Sequence, residues 1–208
     1  MKYKLVIFDF DGTLVDNFAW FKSVINKVAV KYQFKKIRKS ECEIIRGYGP
    51  SEILKYLHVP LWKLPMIENY LRKLMSKDIQ KISIVQGVDK LLTNLVDKGL
   101  VLALVTSNDL KNVKTILGNE NFNLIQYCEC GVSLLGKQAK IKKILKKSGC
   151  HCDEAIYIGD EIRDIEAARK ANIAVGCVSW GYNTSEALKT HLPNEMFTDV
   201  YEIIQKIG

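Results

Sequence analysis

Apolar residues recur at two different spacings along the chain, and the change falls near Gly87. Before that point, and after an apolar run that begins at Leu5, they recur every three or four residues, as on one face of an α-helix. The residues that set this spacing are Phe18, Phe21, Val24, Ile25, Val28, Ile53, Leu54, Leu57, Ile67, Leu71 and Leu74. Breaks fall at Gly47, Gly49-Pro50 and Leu64-Pro65. The pattern predicts an all-helical segment at residues 17–86.

From Gly87 onwards, short apolar runs alternate with amphipathic segments. The apolar runs predict strands at 100–106, 125–130, 155–158 and 173–179, and the amphipathic segments predict helices at 88–98, 109–117, 139–148 and 162–171. Residues 1–15 supply one more strand. Strands that alternate with helices form parallel sheets covered on both faces. We therefore expect an α/β fold, with a Rossmann-like, doubly wound parallel sheet formed by residues 1–16 and 87–208. Residues 17–86 form an inserted all-helical domain.

Polar side chains follow three of the predicted strands at the points where these strands end. The clusters are Asp9-Phe10-Asp11, Thr106-Ser107-Asn108, and Gly159-Asp160 with Asp164 four residues later. Ligands of open parallel sheets bind outside the carboxyl ends of the strands, so neighbouring strands would bring these side chains into one crevice. Buried carboxylates need a compensating charge, and oxygen ligands without histidine or cysteine favour Mg²⁺. The sequence therefore predicts a magnesium site.

The segments DFDGTLVD, VTSN, GK and GDEIRD occur in this order along the chain. In that order and spacing the chain resembles the haloacid dehalogenase superfamily, in particular its phosphoglycolate phosphatase-like branch. The resemblance covers nearly the whole chain and implies that the helical insertion is a cap domain. It also implies a Mg²⁺-dependent phosphatase that hydrolyses a small anionic phosphate monoester, such as phosphoglycolate, through an aspartyl-phosphate intermediate.

The resemblance assigns roles to the acidic residues. Asp9 is expected to be the nucleophile and a metal ligand. Asp11 is expected to be the general acid and then the general base, with its main-chain carbonyl on the metal. Asp160 corresponds to a further metal ligand, and Asp164 acts at the metal through water or orients a lysine. Members that displace halide resemble this pattern only at Asp9, so Asp11 favours a phosphate ester.

The remaining roles fall on polar and basic residues. Thr106 corresponds to the hydroxyl that binds the transferring phosphoryl group, with backbone N–H groups at Ser107 and Asn108 as further donors. Lys137 corresponds to the lysine between nucleophile and phosphate. Members of the branch often have lysine-proline where this chain has Gly136-Lys137-Gln138, so Lys140 is the alternative. A helix over 139–148 turns Lys140 towards solvent, whereas Lys137 precedes it in a loop, which favours Lys137.

The basic residues are concentrated in the helical segment. The net charge is +8, and residues 17–90 carry 15 Lys/Arg against 6 Asp/Glu. This charge is a solvated surface, a field that attracts small anions, or a nucleic-acid surface. Within it, Arg46 is a candidate ligand for a substrate carboxylate or second phosphate, or a solvated charge at a helix end.

Three alternatives to the phosphatase remain at this point. A phosphomutase is possible within the family. A phosphonate-cleaving enzyme would need a cap lysine for a Schiff base, and none is identifiable. The third alternative is not an enzyme but a nucleic-acid-binding protein with a vestigial site. Each motif taken alone is also common as a turn or a helix cap without catalytic function.

The remaining sequence features bear on cellular location and on the roles of the cysteine, histidine and aromatic residues. No stretch has the length of apolar sequence that spans a bilayer, and the N-terminus has no cleavable signal pattern, so we expect a cytoplasmic monomer or homodimer. The six cysteines, including two CxC pairs, are expected to be reduced, because the spacing does not match that of structural zinc. The three histidines are expected to be non-catalytic, and Trp180-Gly181-Tyr182 to form a packed turn.

Overall fold

A computed structural model describes residues 2–131 and 136–208 of the chain. Its main feature is a six-stranded sheet in the order β5-β4-β1-β6-β7-β8, in which every neighbouring pair is parallel. A separate ribbon pairs β2 with β3 in antiparallel fashion. The strands are β1 (Leu5–Phe8), β2 (Val15–Asp16), β3 (Ser83–Ile84), β4 (Val101–Val105), β5 (Tyr127–Glu129), β6 (Ala155–Gly159), β7 (Ala174–Val178) and β8 (Glu195–Phe197). The predicted parallel α/β sheet is confirmed.

Strand β1 lies in the middle of the sheet, between β4 and β6. Its four side chains are completely buried, and they alternate between the two faces. Leu5 and Ile7 belong to one apolar cluster, and Val6 and Phe8 belong to the other. A strand buried on both faces reads as an unbroken apolar run, and this explains the LVIF sequence.

Helices cover both faces of the sheet. Residues of α5, α6 and α10 pack in the cluster that contains Phe8, and residues of α7, α8 and α9 pack in the cluster that contains Ile7. The helices are α1 (Phe18–Tyr32), α2 (Cys42–Arg46), α3 (Pro50–Tyr56), α4 (Leu64–Lys77), α5 (Val88–Asp97), α6 (Leu110–Asn123), α7 (Gly136–Ser148), α8 (Ile162–Lys170), α9 (Ser185–Thr190) and α10 (Val200–Ile207). Short 3-10 helices occur at Lys39–Glu41, Leu61–Lys63, Ile79–Lys81 and Cys152–Glu154.

The segment between β2 and β3 contains only helices among its regular elements, namely α1 to α4 and three 3-10 helices. The expectation of helix throughout residues 17–86 is wrong at its end, because Ser83 and Ile84 form β3 and pair with Asp16 and Val15. The chain therefore leaves the sheet unit and returns to it at one two-stranded ribbon. That this segment is an independent cap domain with limits at residues 17 and 86 remains a prediction.

Two differences from the predicted elements matter for the site. Helix α7 includes Gly136 and Lys137. The predicted start of this helix at residue 139 was therefore wrong, and Lys137 does not lie in a loop. The residues Gly136, Lys137 and Gln138 contain no large apolar side chain, so the periodicity gave no sign of this first turn. The final elements β8, α9 and α10 were not predicted; β8 pairs parallel to β7 at the sheet edge.

Within the described ranges, no helix is both long enough and apolar enough to cross a bilayer. All six cysteine residues are free. The Sγ atoms of Cys128 and Cys130 lie 3.1 Å apart at the end of β5.

Candidate active site

The two opening aspartates lie where β1 ends, at the carboxyl edge of the sheet. The Asp9 N–H donates to the Ile158 carbonyl of β6 at 2.8 Å, which holds Asp9 beside the end of that strand. The Asp9 side chain is 4% exposed. Burial raises the pKa of Asp9, the nearby Lys137 opposes this effect, and the resulting pKa is about 7. A carboxylate here needs cations close to it if it is to stay ionised.

Lys137 supplies one such cation from the first turn of α7. Its Nζ lies 2.6 Å from Asp9 Oδ2 and also donates to Asp164 Oδ1. Burial lowers the pKa of Lys137, but the attraction of Asp164 and Asp9 outweighs it and the pKa is raised. The ammonium therefore stays charged between the two carboxylates.

Asp164 is held by the backbone as well as by Lys137. Its Oδ2 accepts the N–H groups of Asp160 at 3.1 Å and Glu161 at 3.0 Å, at the start of α8. Both oxygens therefore have partners within the protein. Of the two roles predicted for Asp164, this geometry favours orienting the lysine.

Asp160 lies at the end of β6 and has no solvent exposure. The Thr13 hydroxyl donates to its Oδ1 at 2.7 Å, and the Tyr182 N–H donates to its Oδ2 at 2.8 Å. Gly12, at φ +80°, and Gly181 pass so close that a Cβ on either would lie 2.3 Å or less from an Asp160 atom. Burial, followed by repulsion from Glu161 and Asp9, raises the pKa of Asp160 well above its ordinary value. The backbone therefore packs tightly around the Asp160 carboxylate, and ionisation of this group is unfavourable unless a cation lies nearby.

These carboxylates form a cluster that suits a hard divalent cation. Asp9, Asp160 and Asp164 each offer an oxygen within 4.8 Å of the others, and all three are buried. Lys137 balances one of the three negative charges by direct contact. The excess negative charge and the oxygen donors both fit a divalent metal ion.

Asp11 points to a different set of partners. Its Oδ1 accepts from the side-chain amides of Asn17 at 2.7 Å and Asn108 at 3.1 Å. Burial raises the pKa of Asp11, and these hydrogen bonds partly oppose the effect. A carboxyl group with a raised pKa is suited to proton transfer at neutral pH.

The Thr106-Ser107-Asn108 cluster follows β4 next to these aspartates. Thr106 is 1% exposed, and its Oγ1 accepts the Asn108 N–H at 2.9 Å, in the side-chain turn typical of Ser and Thr. This N–H is engaged in the described contacts, so the use of the Asn108 backbone N–H as a phosphate donor gains no support from them and remains a prediction. The side-chain amide of Asn108 donates to the Asp11 carboxylate.

The prediction that Lys140 faces solvent was wrong. Lys140 is 8% exposed, and its Nζ donates to the carbonyls of Thr106 and Gly131. It lies one turn before Ile144 on the same helix face, so it belongs to the buried side of α7. Its role in the described contacts is to join the loops after β4 and β5, whereas Lys137 contacts the carboxylates.

Arg46 comes to the site from the helical segment, but its donors have partners. Its Nε donates to the Tyr182 carbonyl at 3.0 Å, one terminal nitrogen to the Gly181 carbonyl at 3.1 Å, and the other to Glu43 at 3.0 Å. The predicted role of Arg46 in phosphate binding gains no support from these contacts. They join the helical segment to the turn that surrounds Asp160.

Four residues of the site were not anticipated. Thr13 and Asn17 bind Asp160 and Asp11, Tyr182 binds Asp160, and Arg163 pairs with Glu161 beside the carboxylates. Thr13 lies within the DFDGT segment and could have been identified there. Arg163 likewise lies within the GDEIRD segment, two residues from its partner, and Asn17 lies six residues after Asp11. Tyr182 had no local signal, because it lies 22 residues after Asp160.

Comparisons with known proteins identify the family of the chain. The sequence profile of the haloacid dehalogenase-like hydrolase family matches residues 6–178. The chain is 24% identical to a phosphoglycolate phosphatase of Synechococcus elongatus, over 97% of this chain and 96% of the relative. It is 22% identical to the pyrophosphatase PpaX of Oceanobacillus iheyensis, over 100% and 98%.

A solved structure, described as a predicted phosphatase from Clostridium acetobutylicum, superimposes with a TM-score of 0.81 at 26% identity, over 100% of this chain and 99% of that one. The family profile covers residues 6–178, and the similarity in fold covers the whole chain. The chain is therefore an enzyme of the haloacid dehalogenase-like hydrolase family, in which it resembles the phosphoglycolate phosphatase-like branch.

Proposed function

We propose that this protein is a Mg²⁺-dependent phosphatase that hydrolyses phosphate monoesters through an aspartyl-phosphate on Asp9. The observation that carries the proposal is the position of Lys137, whose Nζ lies 2.6 Å from Asp9 Oδ2 and also contacts Asp164. A carboxylate nucleophile and an anionic phosphate repel each other unless cations lie beside them. Lys137 supplies one cation beside Asp9, and the carboxylate cluster would hold a second, the metal ion.

In the first step, a carboxylate oxygen of Asp9 attacks phosphorus and the ester P–O bond breaks. Protonated Asp11 gives its proton to the departing alcohol oxygen. The raised pKa of Asp11, caused by burial, supports this role because it increases the protonated fraction. Asn17 and Asn108 hold the Asp11 carboxyl in place.

In the second step, Asp11, now ionised, takes a proton from a water molecule that attacks phosphorus. The bond between phosphorus and Asp9 breaks, which releases inorganic phosphate and restores the Asp9 carboxylate. Thr106 binds the phosphoryl oxygens through its hydroxyl hydrogen, since its oxygen accepts the Asn108 N–H. Ser107 lines the cavity beside Asp11 and is a further candidate for phosphate binding.

Asp9, Asp160 and the main-chain carbonyl of Asp11 would hold Mg²⁺. When bound, this ion neutralises charge on the phosphoryl oxygens and on Asp9. Asp164 acts as a positioning residue, since its oxygens bind Lys137 and two backbone N–H groups.

Relatives named for phosphoglycolate and for pyrophosphate align with nearly the whole chain, so both compounds belong in a first substrate panel. The test is a screen of phosphorylated metabolites for release of inorganic phosphate with Mg²⁺ and with EDTA. We expect release that requires Mg²⁺ and disappears in Asp9→Asn. Release by wild type that persists in Asp9→Asn, or that is unaffected by EDTA, would contradict the proposal.

A further inference from the structure

A large cavity opens beside the candidate catalytic residues. Its volume is about 880 Å³, and Asp11, Ser107 and Asn108 contribute to its lining. Ligand pockets for drug-sized molecules have volumes of roughly 300–1,000 Å³. The space is therefore much larger than a two-carbon phosphate ester requires.

Aromatic and sulfur-containing side chains line the cavity immediately next to Asp11. Met75 Sδ accepts from the same Asn108 amide that binds Asp11, at 2.9 Å. The ring of Tyr182 packs edge-on against Phe18 and Phe21, with centroid distances of 5.2 and 5.3 Å. All four of these side chains line the cavity. The apolar surface thus begins where the leaving group of a substrate would lie.

The apolar lining continues into the helical segment. Helices α1 to α4 contribute large aliphatic side chains to the same cavity, among them Ile25, Ile45, Ile53, Leu54, Ile67 and Leu71. A cavity lined by such side chains favours an apolar occupant, because water against them loses hydrogen bonds.

Several polar side chains in the lining already have partners within the protein. Asn26 exchanges hydrogen bonds with the backbone of Ile37, and the Ser23 hydroxyl donates to the Trp20 carbonyl. Arg46 is bound to two carbonyls and to Glu43. Lys22 is exposed, so its alkyl stem can face the cavity while its charge stays in water. These groups are engaged within the protein or with solvent. Charged side chains such as Glu68, Arg72 and Arg163 also line the cavity, so its surface is mainly but not wholly apolar.

We propose that the physiological substrate is an amphiphilic phosphate monoester, whose phosphate binds at Asp9 and whose alcohol carries an extended alkyl or aromatic group that fills this cavity. This inference rests on the proposed phosphatase function and specifies its substrate class. It differs from the expectation of a small anionic ester such as phosphoglycolate, and the two are compared directly below.

The test is a series of n-alkyl phosphates, from ethyl to octyl, each kept below its micelle-forming concentration. Their leaving alcohols have similar acidity, so changes in kcat/KM report binding of the chain. We expect kcat/KM to rise about fourfold per methylene, the fold-change that corresponds to about 0.8 kcal/mol, until the cavity is filled. We also expect kcat/KM to be higher for hexyl phosphate than for phosphoglycolate.

A pair of variants places the effect in the cavity. Leu54→Trp adds volume inside it, whereas Leu61→Trp makes the same change at a residue of the helical segment that is 70% exposed and does not line it. We expect Leu54→Trp to lower kcat/KM for octyl phosphate at least tenfold more than it lowers kcat/KM for ethyl phosphate. Leu61→Trp should affect neither.

The wild-type series tests the inference even if Leu54→Trp fails to fold. A kcat/KM that is flat or falls with chain length, with ethyl phosphate or phosphoglycolate turned over efficiently, would overturn the inference and leave the phosphatase proposal standing. No Mg²⁺-dependent turnover of any phosphate ester would overturn both.

Discussion

Replacement of the two lysines near the start of α7 separates catalysis from structural support. In Lys137→Met, Asp9 and Asp164 lose the ammonium between them. At the 2.6 Å distance from Nζ to Asp9, the attraction is about 6 kcal/mol for an effective dielectric constant of roughly 20. Desolvation offsets part of it, so loss of one partner of such a buried pair is expected to cost about 3–5 kcal/mol of unfolding free energy without metal. Loss of its charge from the transition state should lower kcat by about 10²–10³-fold.

In Lys140→Met, the carbonyls of Thr106 and Gly131 lose their donor, but no carboxylate of the site loses a contact. We expect a loss of about 1–3 kcal/mol of unfolding free energy and a change in kcat of less than about tenfold. The assays are urea unfolding without metal and steady-state hydrolysis with saturating Mg²⁺. If folded Lys140→Met loses more kcat than folded Lys137→Met, Lys137 is not the cation on the phosphate side.

Three further predictions concern Asp11, the basic helical segment and Asp9. Asp11→Asn should lower kcat strongly for alkyl phosphates but least for p-nitrophenyl phosphate, whose leaving group needs no proton; equal losses across leaving groups would exclude Asp11 as the general acid. If the basic helical segment attracts anionic substrates, kcat/KM should fall with ionic strength while kcat changes little, and a kcat/KM insensitive to salt would leave the charge as a solvated surface. Because burial raises the pKa of Asp9 to about 7, above its value in the unfolded chain, the metal-free protein should lose stability as pH rises through 7. Mg²⁺ should therefore raise Tm more at pH 8 than at pH 6, and the opposite order would contradict this.

The parts of the site that the sequence predicted are those encoded by short segments. A completely apolar strand followed at once by Asp9 and Asp11 indicates both the centre of the sheet and a charge that needs compensation. The alternation after Gly87 then brings the ends of β4 and β6 next to β1, and with them Thr106 and Asp160. The local pattern was sufficient to identify these residues, because each of them lies at or just after the end of a strand in the sequence.

The parts that the sequence missed depend on contacts between distant segments. Lys140 is buried because two loop carbonyls, at Thr106 and Gly131, lie over its helix. Arg46 is bound by carbonyls at Gly181 and Tyr182, more than 130 residues later in the chain. The apolar cavity results from the arrangement of four helices whose spacing alone indicated only which faces are buried. Periodicity gives the face of a helix but not its distance from the neighbouring helix.

The proposed mechanism depends most directly on covalent catalysis by Asp9. The direct measurement is acid quenching of the enzyme during turnover of a phosphate monoester, followed by proteolysis and mass spectrometry of the peptide that contains Asp9. We expect a phosphoryl group on Asp9 that hydroxylamine removes, as it removes acyl phosphates, and no such adduct in Asp9→Asn. A phosphoryl group on another residue, or active turnover by Asp9→Asn, would contradict the mechanism.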